Sequence, residues 1–212
     1  MVQDRKKGEE FNMGRYTGPK RRLSRREGLP LTLKDVKPLE KKGIIPPGQH
    51  GVRNRRRVSE YGIQLREKQK AKRFYGIMER QFKNYYTTAS KTKSSTGLTL
   101  MQLLERRLDN VVYRLGFSKS RAEARQFVSH GHIKVDDKKV NIPSYKVSVG
   151  ETIALSDQMR DNTQVKKSLE DQETLPEWLE RKATIGKVLR IPEREEMEQS
   201  VDEQMIVEYY SR

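Results

Sequence analysis

From residue 100 to residue 131 the chain repeats apolar residues at helical spacing. Met101, Leu104, Leu108, Val111, Val112 and Leu115 recur every three or four positions, the buried stripe of one amphipathic helix. Thr99 with Gln102 matches a capping box, so the helix is predicted to begin at about Leu100. Gly116 can end it in a left-handed conformation. Ser120 with Glu123 is a second capping box. It opens a short helix with Ala124, Phe127 and Val128 inward, closed by Gly131.

Past Gly131 the period drops to two. Ile133-Lys134-Val135 alternates, Asp136-Asp137 turns, and Lys138–Asn141 continues until Pro143 breaks the run. Val147, Val149 and then Thr152–Leu155 predict a third short strand. Residues 99–156 therefore predict a compact α+β module, two helices on a small antiparallel sheet.

Upstream, residues 59–90 read as helical. Ser59 can cap a helix that turns Tyr61, Leu65 and Phe74 inward, and Gly76 bends or breaks it. Ile77, Phe82 and Tyr85 or Tyr86 carry the apolar face on. Residues 87–97 predict a polar linker. Residues 1–57 show little periodicity and too little apolar surface to fold alone, so they predict an extended segment ordered against a partner. Downstream, residues 160–172 predict a polar helix, Trp178 a core anchor in a turn, and Val188–Ile191 a strand. Met205, Ile206, Val207, Tyr209 and Tyr210 predict a last segment that docks back on residues 59–90.

Charge changes the picture from fold to partner. The 212 residues hold 45 Lys and Arg against 29 Asp and Glu, a formal net charge of +16. Residues 1–93 contribute +17, residues 94–155 +4 and residues 156–212 −5. Such an excess implies a polyanion, either nucleic acid or an anionic membrane, and the first half is its footprint. No apolar run approaches the roughly 18 residues of a membrane span, and no signal-peptide pattern is present. With no cysteine, disulfides, thiolate metal sites and thiol nucleophiles are excluded.

The candidate contacts follow from where the cations stand. Arg107 and Arg114, seven residues apart, share a helical face with Asn110 beside the stripe. Arg121 and Arg125 are an i, i+4 pair at the start of the next helix, where free backbone N–H groups also suit phosphate. Ser118, Lys119 and Ser120 lead into that helix, and His130 and His132 close it. Arg66, Lys68, Lys70 and Arg73 line the polar face of residues 59–90, with Tyr61 near its start. In the leader, Arg15, Lys20, Arg21, Arg22, Arg25, Arg26, Arg53, Arg55, Arg56 and Arg57 are placed to thread along RNA. Tyr16 and His50 are flat groups for stacking, and Pro46-Pro47-Gly48 presents Gln49-His50. The competing readings are a solvated cationic face and, for the leader, a solubilising tail. His130-Gly131-His132 lacks an obvious third metal ligand. No Walker loop, dinucleotide fingerprint or catalytic constellation appears, so neither cofactor nor metal is expected.

The stretch LLERRLDNVVYRLGFSKSRAEARQFVSHGHIKVDDKKVNIPSYKV resembles the S-four RNA-binding domain, which several RNA-binding proteins share. The flanks RYTGPKRRLSRREG, PPGQHGVRNRRRVSEYGIQLREKQKAKRFYGIMERQF, LPEWLE and EQMIVEYYSR narrow it. Together they resemble the bacterial-type small-subunit ribosomal protein S-four family.

The resemblance implies a cytoplasmic ribosomal protein, not an enzyme. It would be a primary binder of small-subunit ribosomal RNA that nucleates assembly of the 5′ domain. It would lie beside proteins S-five and S-three where messenger RNA enters, and influence decoding accuracy with S-five and S-twelve. Some members repress their own operon. An RNA-modifying enzyme using the same module would need a catalytic domain that the mostly polar residues after 156 do not supply. The implied division is a basic extended leader (1–45), a helical domain in two pieces (46–97 and 161–212), and the inserted RNA-binding module (98–160). Many relatives hold zinc with four leader cysteines. Here Arg21 and Ser24 stand where the first two are expected, which implies a zinc-free variant whose leader is ordered by RNA contacts. Residues 1–12 would precede the usual family start at Met13-Gly14-Arg15-Tyr16, and Asp4, Glu9 and Glu10 argue against an organelle transit peptide.

Overall fold

The computed structural model describes residues 14, 16–42, 45–51, 58–160, 162–171 and 175–212. The leader is not extended throughout. It forms α1 (Lys20–Glu27) and α2 (Leu33–Lys42), with Gly28 ending α1 at φ 72°. Polar bonds hold the pair where apolar burial is scarce. The buried Ser24 hydroxyl donates to Asp35 at 2.6 Å, Thr32 donates to the same carboxylate oxygen at 2.8 Å, and the Leu31 N–H donates to Ser24 Oγ at 3.3 Å. Arg25 donates to the carbonyls of Ile45 and Pro46. Composition hides such an arrangement, because bonds to a charged acceptor are stronger than the mean.

Residues 59–90 fold as expected into α3 (Glu60–Phe74) and α4 (Glu79–Ser90). Ser59 Oγ accepts from the Gly62 N–H, and Gly76, at φ 64°, breaks the run. The inward face of α3 differs from the expectation: Gln64, Lys68 and Ala71 are buried, while Tyr61 is 49% exposed. The polar linker shrinks to residues 91–95, since α5 (Thr96–Glu105) begins early. Thr99 lies inside α5 and does not cap it; its hydroxyl faces Ser94.

The predicted helix from Leu100 to Gly116 is in fact two, α5 and α6 (Leu108–Arg114). Tertiary pairing breaks it. The Leu108 and Asp109 N–H groups donate to the carbonyls of Tyr145 and Pro143, the Val147 N–H donates to Arg106 O, and Arg107 bridges to Lys146. The passing segment thus takes up backbone groups that a continuous helix would have used itself. The single stripe consequently feeds two cores. Met101 and Leu104 pack with Ala71, Phe82 and Ile206; Leu108, Val111, Val112 and Leu115 pack with Ile153, Leu155 and Trp178.

The second core lies under α7 (Arg121–Ser129) and a sheet. Strands β1 (Ile133–Val135), β2 (Lys138–Lys139) and β3 (Thr152–Leu155) are antiparallel, as expected, although β2 stops short of Asn141 and Val147 stands outside any strand. Asp136 and Asp137, both at positive φ, make the two-residue hairpin turn whose twist suits antiparallel strands. The sheet does not close within residues 99–156. After α8 (Asp157–Arg160) and α9 (Thr163–Asp171) it takes two more strands, β4 (Leu179–Lys182) and β5 (Ile185–Val188), in the order β2-β1-β3-β5-β4. Only Val188 of the predicted Val188–Ile191 strand lies in β5. Trp178 is fully buried in the second core.

After a 3-10 turn (Arg194–Glu196), α10 (Glu203–Ser211) packs on α3 and α5. Gln64 donates to Glu208 at 2.9 Å. Glu79 accepts from Lys68 at 2.6 Å and from the Tyr210 hydroxyl at 2.9 Å, and Tyr210 stacks on Tyr86 at 4.5 Å.

Candidate nucleic-acid interface

The α6–α7 corner is built around two acids that the sequence reading passed over. Glu105, fully buried at the end of α5, accepts from Tyr75 at 2.7 Å, Asn110 at 2.6 Å, and Arg114 at 3.1 and 2.8 Å. Burial alone would raise its carboxyl. The Arg114 charge and these bonds outweigh that and hold it below the usual carboxylate range. Burial and the facing Glu105 charge push the Tyr75 hydroxyl far up. Asp109 is the second acid. Arg107 grips it with two donors, at 3.1 and 2.7 Å, and gives a third to Tyr85 Oη at 2.7 Å. Arg125 approaches Asp109 at 3.7 Å.

This corrects the placing of Arg107 and Arg114 on one presented face. Arg107 is 1% exposed and Asn110 2%, and Arg114 is turned to Glu105. Ser118 is also buried, donating to the Ser120 carbonyl, and Lys68 is buried against Glu79. Arg107, Asn110, Arg114 and Ser118 shape the corner from inside, while Lys68 joins α3 to α4. Arg121 stands between the two regimes. Its Nε donates to Asn110 Oδ1 at 2.8 Å, and its guanidinium lies 4.1 Å from the Phe74 ring centre and 4.5 Å from that of Tyr113. Burial lowers its pKa against the pull of Glu105. Ser120 caps α7 by accepting from the Glu123 N–H, as expected. Glu123 reaches back to the Lys119 N–H at 2.8 Å.

Cations do face outward on the leader and its neighbours. Lys20, Arg21, Arg22 and Arg26 are exposed on α1, as are Gln49, His50, Lys119 and His130, with His132 half-buried. Tyr16 is 44% exposed. The buried carboxylate of Glu27, at the end of α1, ties this basic helix to α3 by accepting from Arg66 and Arg73. Lys70 pairs with Glu67 and donates to Ser200 O. The candidates Arg15, Arg53, Arg55, Arg56 and Arg57 lie outside the described residues. Among the described residues, no group of three or more His, Asp or Glu side chains could hold a metal, and no helix is long and apolar enough to cross a membrane.

The missed acids left one signal in the sequence. Glu105 and Asp109 sit four residues apart among Arg106, Arg107 and Arg114, and an acid that is to be buried needs such a cation beside it.

Two family models match the chain and meet at the α5–α6 break: ribosomal protein S4/S9 N-terminal domain over residues 15–105, and S4 domain over residues 106–153. Small ribosomal subunit protein uS4 of Dictyoglomus turgidum is 53% identical over 208 residues, covering 94% of this chain and all of that one. The uS4 proteins of Natranaerobius thermophilus and Herpetosiphon aurantiacus are each 51% identical, with the same coverage. The chain belongs to the uS4 family. As a uS4 family member it is a structural ribosomal protein, not an enzyme. Its α+β fold, helices around a small antiparallel sheet, agrees with the S4 domain match.

Proposed function

We propose that this chain is a primary binder of small-subunit ribosomal RNA, working in the cytoplasm as part of the ribosome. It nucleates assembly of the 5′ domain of that RNA. The observation that carries this is the segregation of charge: +17 in residues 1–93 against −5 in residues 156–212, with four exposed cations on the eight residues of α1. Four exposed cations on so short a helix suit phosphate.

The work divides between two groups of residues. Lys20, Arg21, Arg22 and Arg26, with Arg15, Arg53, Arg55, Arg56 and Arg57, contact the backbone of the RNA. Lys119, Arg121 and Arg125 meet it at the α6–α7 corner. Arg107, Asn110 and Arg114 act indirectly, through Glu105 and Asp109, which hold that corner in shape; Ser118 supports the turn into α7, and Lys68 pairs with Glu79 between α3 and α4. Specificity comes from RNA shape, since side chains cannot enter the deep groove of A-form RNA.

The family resemblance supports the finer roles: neighbours S-five and S-three where messenger RNA enters, an effect on decoding accuracy with S-five and S-twelve, and repression of its own operon. Sedimentation of the tagged chain from cell lysate tests the core of the reading. Co-migration with small subunits and their precursors is expected. Migration only with free RNA or free protein would overturn it.

A further inference from the structure

Helices α6 and α7, with Met159 of α8 and Val165 of α9, fill the core on one side of the sheet. Val135, Ile153, Leu155, Leu179 and Val188 point to the core. The pairing register places the alternate residues on the opposite, open side. One row across all five strands reads Lys139, Lys134, Ala154, Ile185, Lys182. The next reads Thr152, Lys187, Glu180. Ile185 is 47% exposed although its strand is flanked on both sides, so among the described residues none covers the middle of this face. Lys139, Lys182 and Lys187 are exposed and Lys134 is half-buried.

The acids on this face are few and exposed. Asp157 pairs with Lys134 at 3.4 Å and with Arg160 at 3.2 Å, Glu180 pairs with Lys182 at 3.1 Å, and Asp136 is bonded to Thr152. Exposed pairs of this kind are weak and give way to a polyanion.

We infer that the open face of the sheet is a second RNA-binding surface, which takes ribose–phosphate backbone across the lysines of β1, β2, β4 and β5. It faces away from the α6–α7 corner, so one module grips two RNA segments. The inference rests on the ribosomal RNA reading above. Charge complementarity selects the occupant. Four lysines around a small aliphatic centre match a phosphate chain. Protein-docking surfaces instead favour arginine and aromatic anchors and are depleted in lysine, and the two rows across the described strands hold no arginine or aromatic side chain, with Arg160 only at their edge.

Because the chain has no cysteine, single thiols can be placed at will. The test attaches a photo-crosslinker to Lys182→Cys and, separately, to Lys187→Cys, in small subunits reconstituted with the full chain. Crosslinks to ribosomal RNA are expected from both. Crosslinks to protein only, or to nothing, would overturn the inference.

A second measurement compares the salt dependence of RNA binding for the parent and a Lys134→Gln, Lys139→Gln, Lys182→Gln, Lys187→Gln variant whose circular dichroism matches the parent. The logarithmic slope of the variant is expected to be shallower by about 2–3, with binding at least roughly tenfold weaker near 100 mM salt. An unchanged slope beside a steep parent slope would overturn this inference alone. A flat parent slope would overturn the ribosomal RNA reading, and this inference with it.

Discussion

Replacing Glu105 tests the acid-centred corner. In Glu105→Ala the Arg114 guanidinium and the Tyr75 hydroxyl lose the carboxylate that accepts from them, and the Asn110 amide keeps only the backbone carbonyl of residue 105, in a site where the carboxylate is fully buried. Removing one partner of a buried ion pair costs about 3–5 kcal/mol. The side-chain exposure of Arg114 is 19%, which places the expectation at the lower end, about 3 kcal/mol. For a chain of this size that lowers the melting temperature by roughly 6–12 °C. Glu105→Gln keeps the volume and loses the charge, and whichever way its amide turns, the Nε2 meets one of the two Arg114 donors. About 2 kcal/mol is expected. Urea denaturation of both variants, and of Arg114→Ala alone and combined with Glu105→Ala, gives the coupling directly. It should exceed roughly 1.5 kcal/mol. The pH dependence adds a signed check. The folded-state pKa of Glu105 lies below its unfolded value, so its contribution is fully present above about pH 4.3 and is lost as pH falls through the folded value. Glu105→Gln should therefore lack that part of the acid destabilisation. A loss below about 1 kcal/mol for Glu105→Ala, with no coupling to Arg114, would refute the corner as described.

Three further outcomes are expected. Trp178→Ala should cost about 3–5 kcal/mol in urea denaturation, because the indole is fully buried in the second core. Tyr210→Phe should cost about 1 kcal/mol and speed hydrogen exchange in α10 more than elsewhere, since it removes the hydroxyl bond to the half-exposed Glu79. Ser24→Ala should speed tryptic cleavage between Arg26 and Lys41, because it strips one donor from the buried Asp35 and one acceptor from the Leu31 N–H; unchanged digestion would show that α1 and α2 do not depend on this contact.

Periodicity located every long apolar segment but not the tertiary pairings that cut or joined them. The stripe from Met101 to Leu115 was legible as helix. The break at Arg106-Arg107 was not, because it is made by backbone bonds to residues 143–147, some 40 positions away. Trp178 was legible as core. The role of its neighbours as two further strands was not, since Glu180, Arg181 and Lys182 carry no apolar alternation of their own. In the leader, apolar content understated order that Ser24, Thr32 and Asp35 supply through polar bonds. Among the candidate contacts, counting cations identified the basic surface of α1 and misjudged Arg107. An arginine facing solvent and an arginine buried on an aspartate have the same spacing in sequence; only the position of Asp109 in space separates them.

On the function proposed above, this chain binds small-subunit ribosomal RNA without help from other proteins. Equilibrium binding of the purified chain to a protein-free 5′-domain RNA, across a salt series, tests it most directly. With six to ten phosphates neutralised, affinity should fall by about 10³–10⁵ between roughly 50 and 200 mM salt, and should exceed that for an unrelated RNA of equal length. Equal affinity for both RNAs, or a nearly flat salt dependence, would contradict the account.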